Sequence, residues 1–217
     1  MNNQTLSRLE LLPKNVHVTL PRTDPLIYYY LPIIGGMYRK RVELALSECS
    51  GGEKILEVGY GSGVAFPSLK KKYQQIYGID LYAKSEQVTE MWNQYGIKPN
   101  LREGNLLKLP YGKEIFDTVL LISILEHIHP HEQPIAMDEI SRVLKPGGQV
   151  VYGVPFERAL MVFMYRLLGV NIREHHFSTE RDVSANARKL FNEKRLITMK
   201  GLFGPVYQVG HFVKPSQ

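Results

Sequence analysis

Apolar positions change their period repeatedly along the central part of the chain, and the changes predict strands and helices in turn. The run over 54–58 (Lys-Ile-Leu-Glu-Val) reads as a buried strand, 64–73 as a helix, 75–79 as a strand and 84–95 as a helix. A short strand near 100–102 precedes 116–122, the most apolar strand pattern present, and helical periodicity returns over 132–144. Lys145-Pro146-Gly147-Gly148 then breaks the helix ahead of a strand at 149–154. Strands separated by helices of roughly ten to fifteen residues form β-α-β units, which lie parallel in one sheet. The end of the chain departs from that rhythm. After a helix over 180–191, the stretches 196–200 and 206–213, joined by a Gly/Pro turn at 201–205, read as an antiparallel hairpin. The expected fold is α/β, a mostly parallel sheet with helices on both faces and a C-terminal antiparallel hairpin.

Upstream of the sheet, apolar residues recur at helical spacing over 37–47 and stop at Gly51-Gly52. The tyrosine-rich stretch Tyr28 to Tyr38 before it is expected to form part of a lid, with Gly35-Gly36 as its hinge. Residues 1–50 are therefore read as an N-terminal lid and helical segment, and 51–217 as the main domain. Within the latter, 156–178 interrupts the β-α rhythm and is read as an insertion over the sheet.

The most informative local sequence is Ile55-Leu56-Glu57-Val58-Gly59-Tyr60-Gly61-Ser62-Gly63. It sets a glycine-rich turn directly after a buried strand and before a helix. Glycine lets the backbone turn tightly and approach a ligand, and the helix N-terminus offers free N–H groups. About twenty residues on, Asp80 ends the next strand, where a carboxylate can accept ribose hydroxyls. Both a dinucleotide and S-adenosylmethionine fit that arrangement. A dinucleotide pattern calls for Gly or Ala where Val64 stands, and the glycines here sit at alternate positions instead. Glu57 is unhelpful beside a phosphate and harmless beside a sulfonium or an ammonium. The sequence also lacks the Tyr-x-x-x-Lys pair of short-chain dehydrogenases, which weighs against a nicotinamide-dependent oxidoreductase.

The stretch from Ile55 to Pro155 resembles the class I S-adenosylmethionine-dependent methyltransferases, in particular the group typified by ubiquinone and menaquinone methyltransferases. Leu56-Glu57-Val58-Gly59-x-Gly61-x-Gly63 is similar to the family's first motif, around the methionine end of the cofactor, and Asp80 matches its ribose-binding acid. Glu103-Gly104-Asn105-Leu106, followed by Leu109-Pro110-Tyr111 and Phe116-Asp117, resembles the "GDA…LPF…FD" block. It carries Asn105 where an aspartate commonly meets the adenine amino group; the amide carbonyl can still accept that bond. Ser123 to Ile128 resembles the segment leaving the fourth strand, and Arg142 to Gly148 the "RvLkPGG" turn. The resemblance implies a Rossmann-like, seven-stranded sheet. It also implies a cofactor site at Glu57, Gly59, Tyr60, Gly61, Gly63, Asp80, Leu81, Asn105, Leu106 and Ser123, with S-adenosylhomocysteine as the product. A catalytically silent S-adenosylmethionine-binding partner subunit is the alternative function from another class.

Methyl transfer from a sulfonium needs alignment and, for an O–H or N–H acceptor, a base. His127 is the first candidate because imidazole titrates near neutrality, and His175 and His176 are the next. His127, His129 and His131 alternate as metal ligands sometimes do, but the spacing matches no metal motif well, and no metal is expected.

Composition adds limits. A net charge of +6, from 27 Lys and Arg against 21 Asp and Glu, favours anionic partners in a general way. Nucleic-acid methylation is disfavoured, because no Asn/Asp-Pro-Pro-aromatic motif follows the fourth strand and the single cysteine, Cys49, precedes the first. One cysteine excludes an intrachain disulfide, and with a polar start to the sequence the expected compartment is cytoplasmic. The apolar, methionine-bearing stretch 156–170, with Arg158 and Arg166, suits a small hydrophobic or lipid-like acceptor, a peripheral membrane contact or a homodimer contact.

Overall fold

Burial along the strands has the period of two that a sheet covered on both faces requires. Ile55, Leu120 and Val151 enter one core, while their neighbours Leu56, Val119, Leu121, Val150 and Tyr152 enter the other. The structure is a computed structural model that describes residues 8–14, 25–32, 34–156, 177–201 and 204–216. Among them the strands are β1 (Gly52–Val58), β2 (Tyr73–Asp80), β3 (Asn100–Glu103), β4 (Phe116–Ile122), β5 (Leu144–Pro155), β6 (Asn192–Gly201) and β7 (Gly204–Val213). The helices are α1 (Ile34–Glu48), α2 (Phe66–Lys70), α3 (Ser85–Asn93), α4 (Gln133–Val143) and α5 (Glu180–Leu190).

The sheet has the order β3-β2-β1-β4-β5-β7-β6. Strands β1 to β5 pair in parallel, and β7 inserts antiparallel between β5 and β6. This is the Rossmann-like, seven-stranded arrangement expected, with α1 and the α3 residue Trp92 in one core and α4 and α5 in the other. Strand β1 is flanked by β2 on one side and β4 on the other, so the winding reverses beside it. Such a reversal opens a crevice at the carboxyl ends of the two strands, where ligands of open α/β sheets bind.

Three local elements differ from the sequence pattern. The helix predicted over 64–73 shrinks to α2, because Pro67 has no N–H and suits only the first helical turn. At the other end Tyr73 pairs with Gly52, and its hydroxyl bonds Thr118 Oγ1 over 2.7 Å. The Pro-Gly-Gly breaker is not a turn before the fifth strand. Strand β5 already begins at Leu144, and the ladder shifts register between Phe116 and Thr118. The extra residues bulge out, and Gly147 N–H and Gly148 C=O both bond the Lys214 backbone, so the bulged groups stay satisfied. Gly35 and Gly36 lie inside α1 and form no hinge. A Cβ on Gly35 would come within 2.6 Å of the Tyr29 carbonyl, so glycine is needed there for close packing.

Candidate active site

The glycine turn leaves β1 with Gly59, Gly61 and Gly63 at φ of 73°, 51° and 73°. Gly59 N–H donates to Ile79 C=O over 2.7 Å, which holds the turn against the end of β2. A Cβ on Gly59 would stand 2.0 Å from Ile124 Cδ1, so the segment after β4 packs directly on the loop. From the other side Trp92 Nε1 donates to Ser62 C=O over 2.9 Å, and the buried Phe66 ring meets Trp92 edge-on at 5.8 Å. The loop is thus fixed by α2 and α3 before any ligand arrives.

Asp80 shapes the same loop. Its Oδ2 accepts Gly61 N–H over 2.9 Å, and its Oδ1 accepts Tyr82 and Ala83 N–H over 2.8 and 2.9 Å. A carboxylate has about four acceptor positions, so one remains for a ligand hydroxyl. That is fewer than two fully shared ribose bonds would need.

Glu57 carries the most telling electrostatics. It is buried on β1, two residues before the turn, and its Oε2 has no hydrogen-bond partner. Burial, with the charge of Asp80 as a lesser cause, pushes its carboxyl up to about 8. An orphaned buried carboxylate beside a glycine turn is completed by a cationic group. An S-adenosylmethionine ligand brings both an ammonium and a sulfonium, whereas a pyrophosphate would add repulsion. The residues present therefore fit S-adenosylmethionine.

The other expected cofactor residues contribute unequally. Tyr60 is buried with its ring against the position a Cβ would take at Gly78, and its hydroxyl is unpartnered; burial pushes that phenol well up. Leu81 is exposed beyond β2, beside the exposed Tyr82. Asn105 uses its Oδ1 to accept Leu107 N–H over 2.9 Å, capping the 3-10 turn Leu106–Lys108. One lone pair of that amide oxygen is therefore occupied. Leu106 buries its side chain in the α4-side core, which leaves only its backbone to face a ligand.

The loop after β3 is held by a clamp from α4. Arg142 binds both oxygens of Glu139 and donates to the carbonyls of Tyr111 and Leu109, while Glu139 accepts Leu109 N–H over 2.7 Å. Arg142→Ala is expected to lose about 2–3 kcal/mol of stability, because several charge-assisted bonds to a part-buried backbone vanish together. Chemical denaturation checks this, and Arg142→Lys should recover little of the loss because one ammonium cannot span the fork.

At the end of β4, Ser123 has φ of 58°, a backbone conformation that non-glycine residues rarely adopt. Its hydroxyl bonds Tyr207 Oη over 2.9 Å and accepts from Arg41 Nη1 over 3.4 Å. Ser123 thereby joins β4 to β7 and α1. Buried Glu126 follows in the 3-10 turn Leu125–His127, with exposed His127 at its end. His129 stacks on Phe177 at 3.8 Å and on His131 at 5.5 Å. Among the described residues no three His, Cys, Asp or Glu side chains converge as a metal site. His175 and His176, Arg158 and Arg166, and most of the 156–178 insertion lie outside the described residues.

Arg41, Ile124, Glu126 and Tyr207 are prominent here and absent from the sequence-derived site. Arg41 lies in the basic run Arg39-Lys40-Arg41. The usable signal was helical spacing, since Arg41 follows Tyr38 by three positions and shares its face. Tyr207 is brought in by the antiparallel insertion of β7, which sequence distance hides.

The methyltransferase domain family matches residues 56–152, from the middle of β1 to the body of β5. Residues 56–152 belong to that family. The methyltransferase domain has relatives of known activity, and this chain spans about half the length of the curated relatives it matches. The erythromycin 3''-O-methyltransferase of Saccharopolyspora erythraea is 30% identical over 135 residues, 58% of this chain and 44% of the relative. The ubiquinone biosynthesis O-methyltransferase of Paracidovorax citrulli is 26% identical over 121 residues, 54% of this chain and 50% of the relative. The N-methyltransferase NodS of Bradyrhizobium japonicum, solved with S-adenosylhomocysteine, aligns with a TM-score of 0.68 at 18% identity. That alignment covers 89% of this chain and 93% of NodS. The [4+2]-cyclase SpnF aligns with a TM-score of 0.67 at 17% identity, over 82% of this chain and 81% of SpnF. The methyltransferase domain is of the class I, S-adenosylmethionine-dependent type, with the strand order and inserted β7 that belong to that fold. No helix among the described residues is long and apolar enough to cross a membrane.

Proposed function

We propose that this chain transfers the methyl group of S-adenosylmethionine to a small-molecule acceptor. The observation that carries the proposal is Glu57, a buried carboxylate with an unpartnered oxygen beside the glycine turn at the sheet's switch point. Around it, the backbone of the turn from Gly59 to Gly63 receives the methionine end. Asp80 offers its remaining acceptor position to a ribose hydroxyl. Exposed Leu81 covers one side of the adenine, and Asn105 with the Leu106 backbone meets its polar edge. S-adenosylmethionine supplies an electrophilic methyl and a neutral thioether leaving group, so no general acid is needed. The chain's own task is to align the acceptor and exclude water.

His127 is the proposed base for an O–H or N–H acceptor, standing where the chain leaves β4, with His175 and His176 as further candidates. The curated relatives include an erythromycin 3''-O-methyltransferase, a ubiquinone biosynthesis O-methyltransferase and a phosphatidylethanolamine N-methyltransferase, the last 32% identical over 114 residues. A small organic acceptor is the class these share.

The test is incubation with S-adenosylmethionine labelled in its methyl group and a panel of phenols, amines and carboxylic acids. Label in an acceptor, with S-adenosylhomocysteine formed in equal amount, is the expected result. Binding of the cofactor with no S-adenosylhomocysteine above the protein-free rate would instead favour the silent partner subunit.

A further inference from the structure

One guanidinium outside the cofactor motif, that of Arg41, is held between aromatic rings with no direct ion pair among the described residues. Arg142, Arg188 and Arg195 each form an ion pair with a glutamate. Arg41 forms none. It is only part-exposed, and its Nε is buried without a hydrogen-bond partner. Its guanidinium lies 3.9 Å from the Tyr38 ring centroid and 5.2 Å from that of Tyr207, and Nη1 makes only a long, 3.4 Å bond to Ser123 Oγ. Glu126 contributes field at Arg41, yet no ion pair joins the two.

Aromatic rings hold the plane of this guanidinium, and its buried Nε–H is left without an acceptor. That is a fork preset for a planar oxyanion, and desolvating a guanidinium without such a partner is costly. The position matters as much as the chemistry. Arg41 bonds Ser123 at the end of β4, and the next residue, Ile124, packs on Gly59 of the glycine turn, so the guanidinium lies one residue from the segment that meets the cofactor loop. Tyr28 and Tyr29, both ringed against Tyr38, extend the aromatic wall.

We propose that Arg41 is the anion receptor of the acceptor pocket, and that the acceptor is an aromatic or otherwise flat small molecule bearing a carboxylate. The inference rests on the methyltransferase reading for the meaning of the pocket, not for the existence of the anion site. Arg41 orients the acceptor through its carboxylate, while the nucleophilic atom at the far end of the molecule is presented to the methyl group. Ser123 and Tyr207 are positioning residues that keep the fork in register.

The experiment uses the whole chain with and without saturating S-adenosylhomocysteine, whose own affinity is measured in the same preparation. Three probes are titrated by calorimetry or ligand-observed NMR: phenylacetate, phenylacetamide and phenyl phosphate. Phenylacetate is expected to bind at least tenfold more tightly than the amide. Arg41→Gln should erase that preference while leaving S-adenosylhomocysteine affinity within about twofold, and Arg41→Lys should keep a reduced preference. The lysine variant covers the case in which the glutamine variant fails to fold. Equal binding of acid and amide, absence of phenylacetate binding at 10 mM, or a preference that survives in Arg41→Gln would overturn the proposal. Tighter binding of phenyl phosphate than of phenylacetate would overturn the carboxylate assignment in favour of a phosphate ester. Loss of S-adenosylhomocysteine binding in the wild-type protein strikes the methyltransferase reading alone, because the acid-to-amide preference is read separately.

Discussion

Gly63→Ala is expected to melt about 5–15 °C below the wild type and to lose cofactor affinity at least tenfold. The new Cβ would stand 2.5 Å from two atoms of the Phe66 ring and 2.6 Å from Trp92 Nε1, and both rings are buried. Neither ring can swing aside, because Trp92 is tied to Ser62 C=O and Phe66 opens α2. Overpacking of this kind costs about 1–3 kcal/mol, and the left-handed backbone at φ 73° adds about 1–2 kcal/mol for any L side chain. For a chain of this size each kcal/mol moves Tm by about 2–4 °C. Gly96→Ala is the control. It has φ of 72° but nothing near its Cβ, so it should show the backbone strain alone and leave cofactor binding intact. Differential scanning calorimetry and titration with S-adenosylhomocysteine read both effects, and equal Tm losses for the two variants would contradict the packing argument.

The second large effect concerns Glu57. Its carboxyl in the empty protein titrates near 8, above the ordinary 4.5, because burial disfavours the charge. A raised folded-state value means that its contribution to stability is fully present below about 4.5 and is lost as pH rises through 8. Glu57→Gln lacks that slope. The empty variant should therefore match the wild type near pH 4.5 and melt above it at pH 8.5. Cofactor binding runs the other way. At pH 8.5 the charged carboxylate is ready for a cation, and Glu57→Gln should bind about 10–100-fold more weakly, the value of one or two charge-assisted bonds. Near pH 6 the wild type must release a proton on binding, so its advantage shrinks. Calorimetry in buffers of different ionisation enthalpy measures that proton directly. Linkage with both S-adenosylmethionine and S-adenosylhomocysteine assigns the contact to the ammonium, and linkage with S-adenosylmethionine alone assigns it to the sulfonium. A pH-independent affinity in the wild type would remove Glu57 from the site.

The sequence made the sheet legible because its strands are local apolar runs punctuated by glycine and proline. It was least reliable where a distant partner decides the outcome. The Pro146-Gly147-Gly148 bulge is held by Lys214, nearly seventy residues on, and no local pattern carries that information. Helix α2 is short because Tyr73 is claimed by the β1–β2 ladder and by Thr118. The cofactor side was readable as a motif, since its residues lie in contiguous loops at the strand ends. Its detail was not. Asp80 and Asn105 already spend acceptor positions on their own backbone neighbourhood, which a motif cannot express. The Arg41 cluster is assembled from α1, the end of β4 and the inserted β7, three segments far apart in the chain, so Arg41 and Tyr207 surfaced only in three dimensions.

The central claim is that the turn from Gly59 to Gly63 and Asp80 form an S-adenosylmethionine site. Calorimetric titration of the purified chain with S-adenosylhomocysteine, beside NAD and beside the Asp80→Ala variant, tests it most directly. Micromolar binding of S-adenosylhomocysteine is predicted, with no heat from NAD. In Asp80→Ala, shown to be folded by its melting curve, the affinity should fall about ten- to a hundredfold, the loss of about 1.5–3 kcal/mol. Absence of S-adenosylhomocysteine binding, or binding that Asp80→Ala leaves unchanged, would contradict the account.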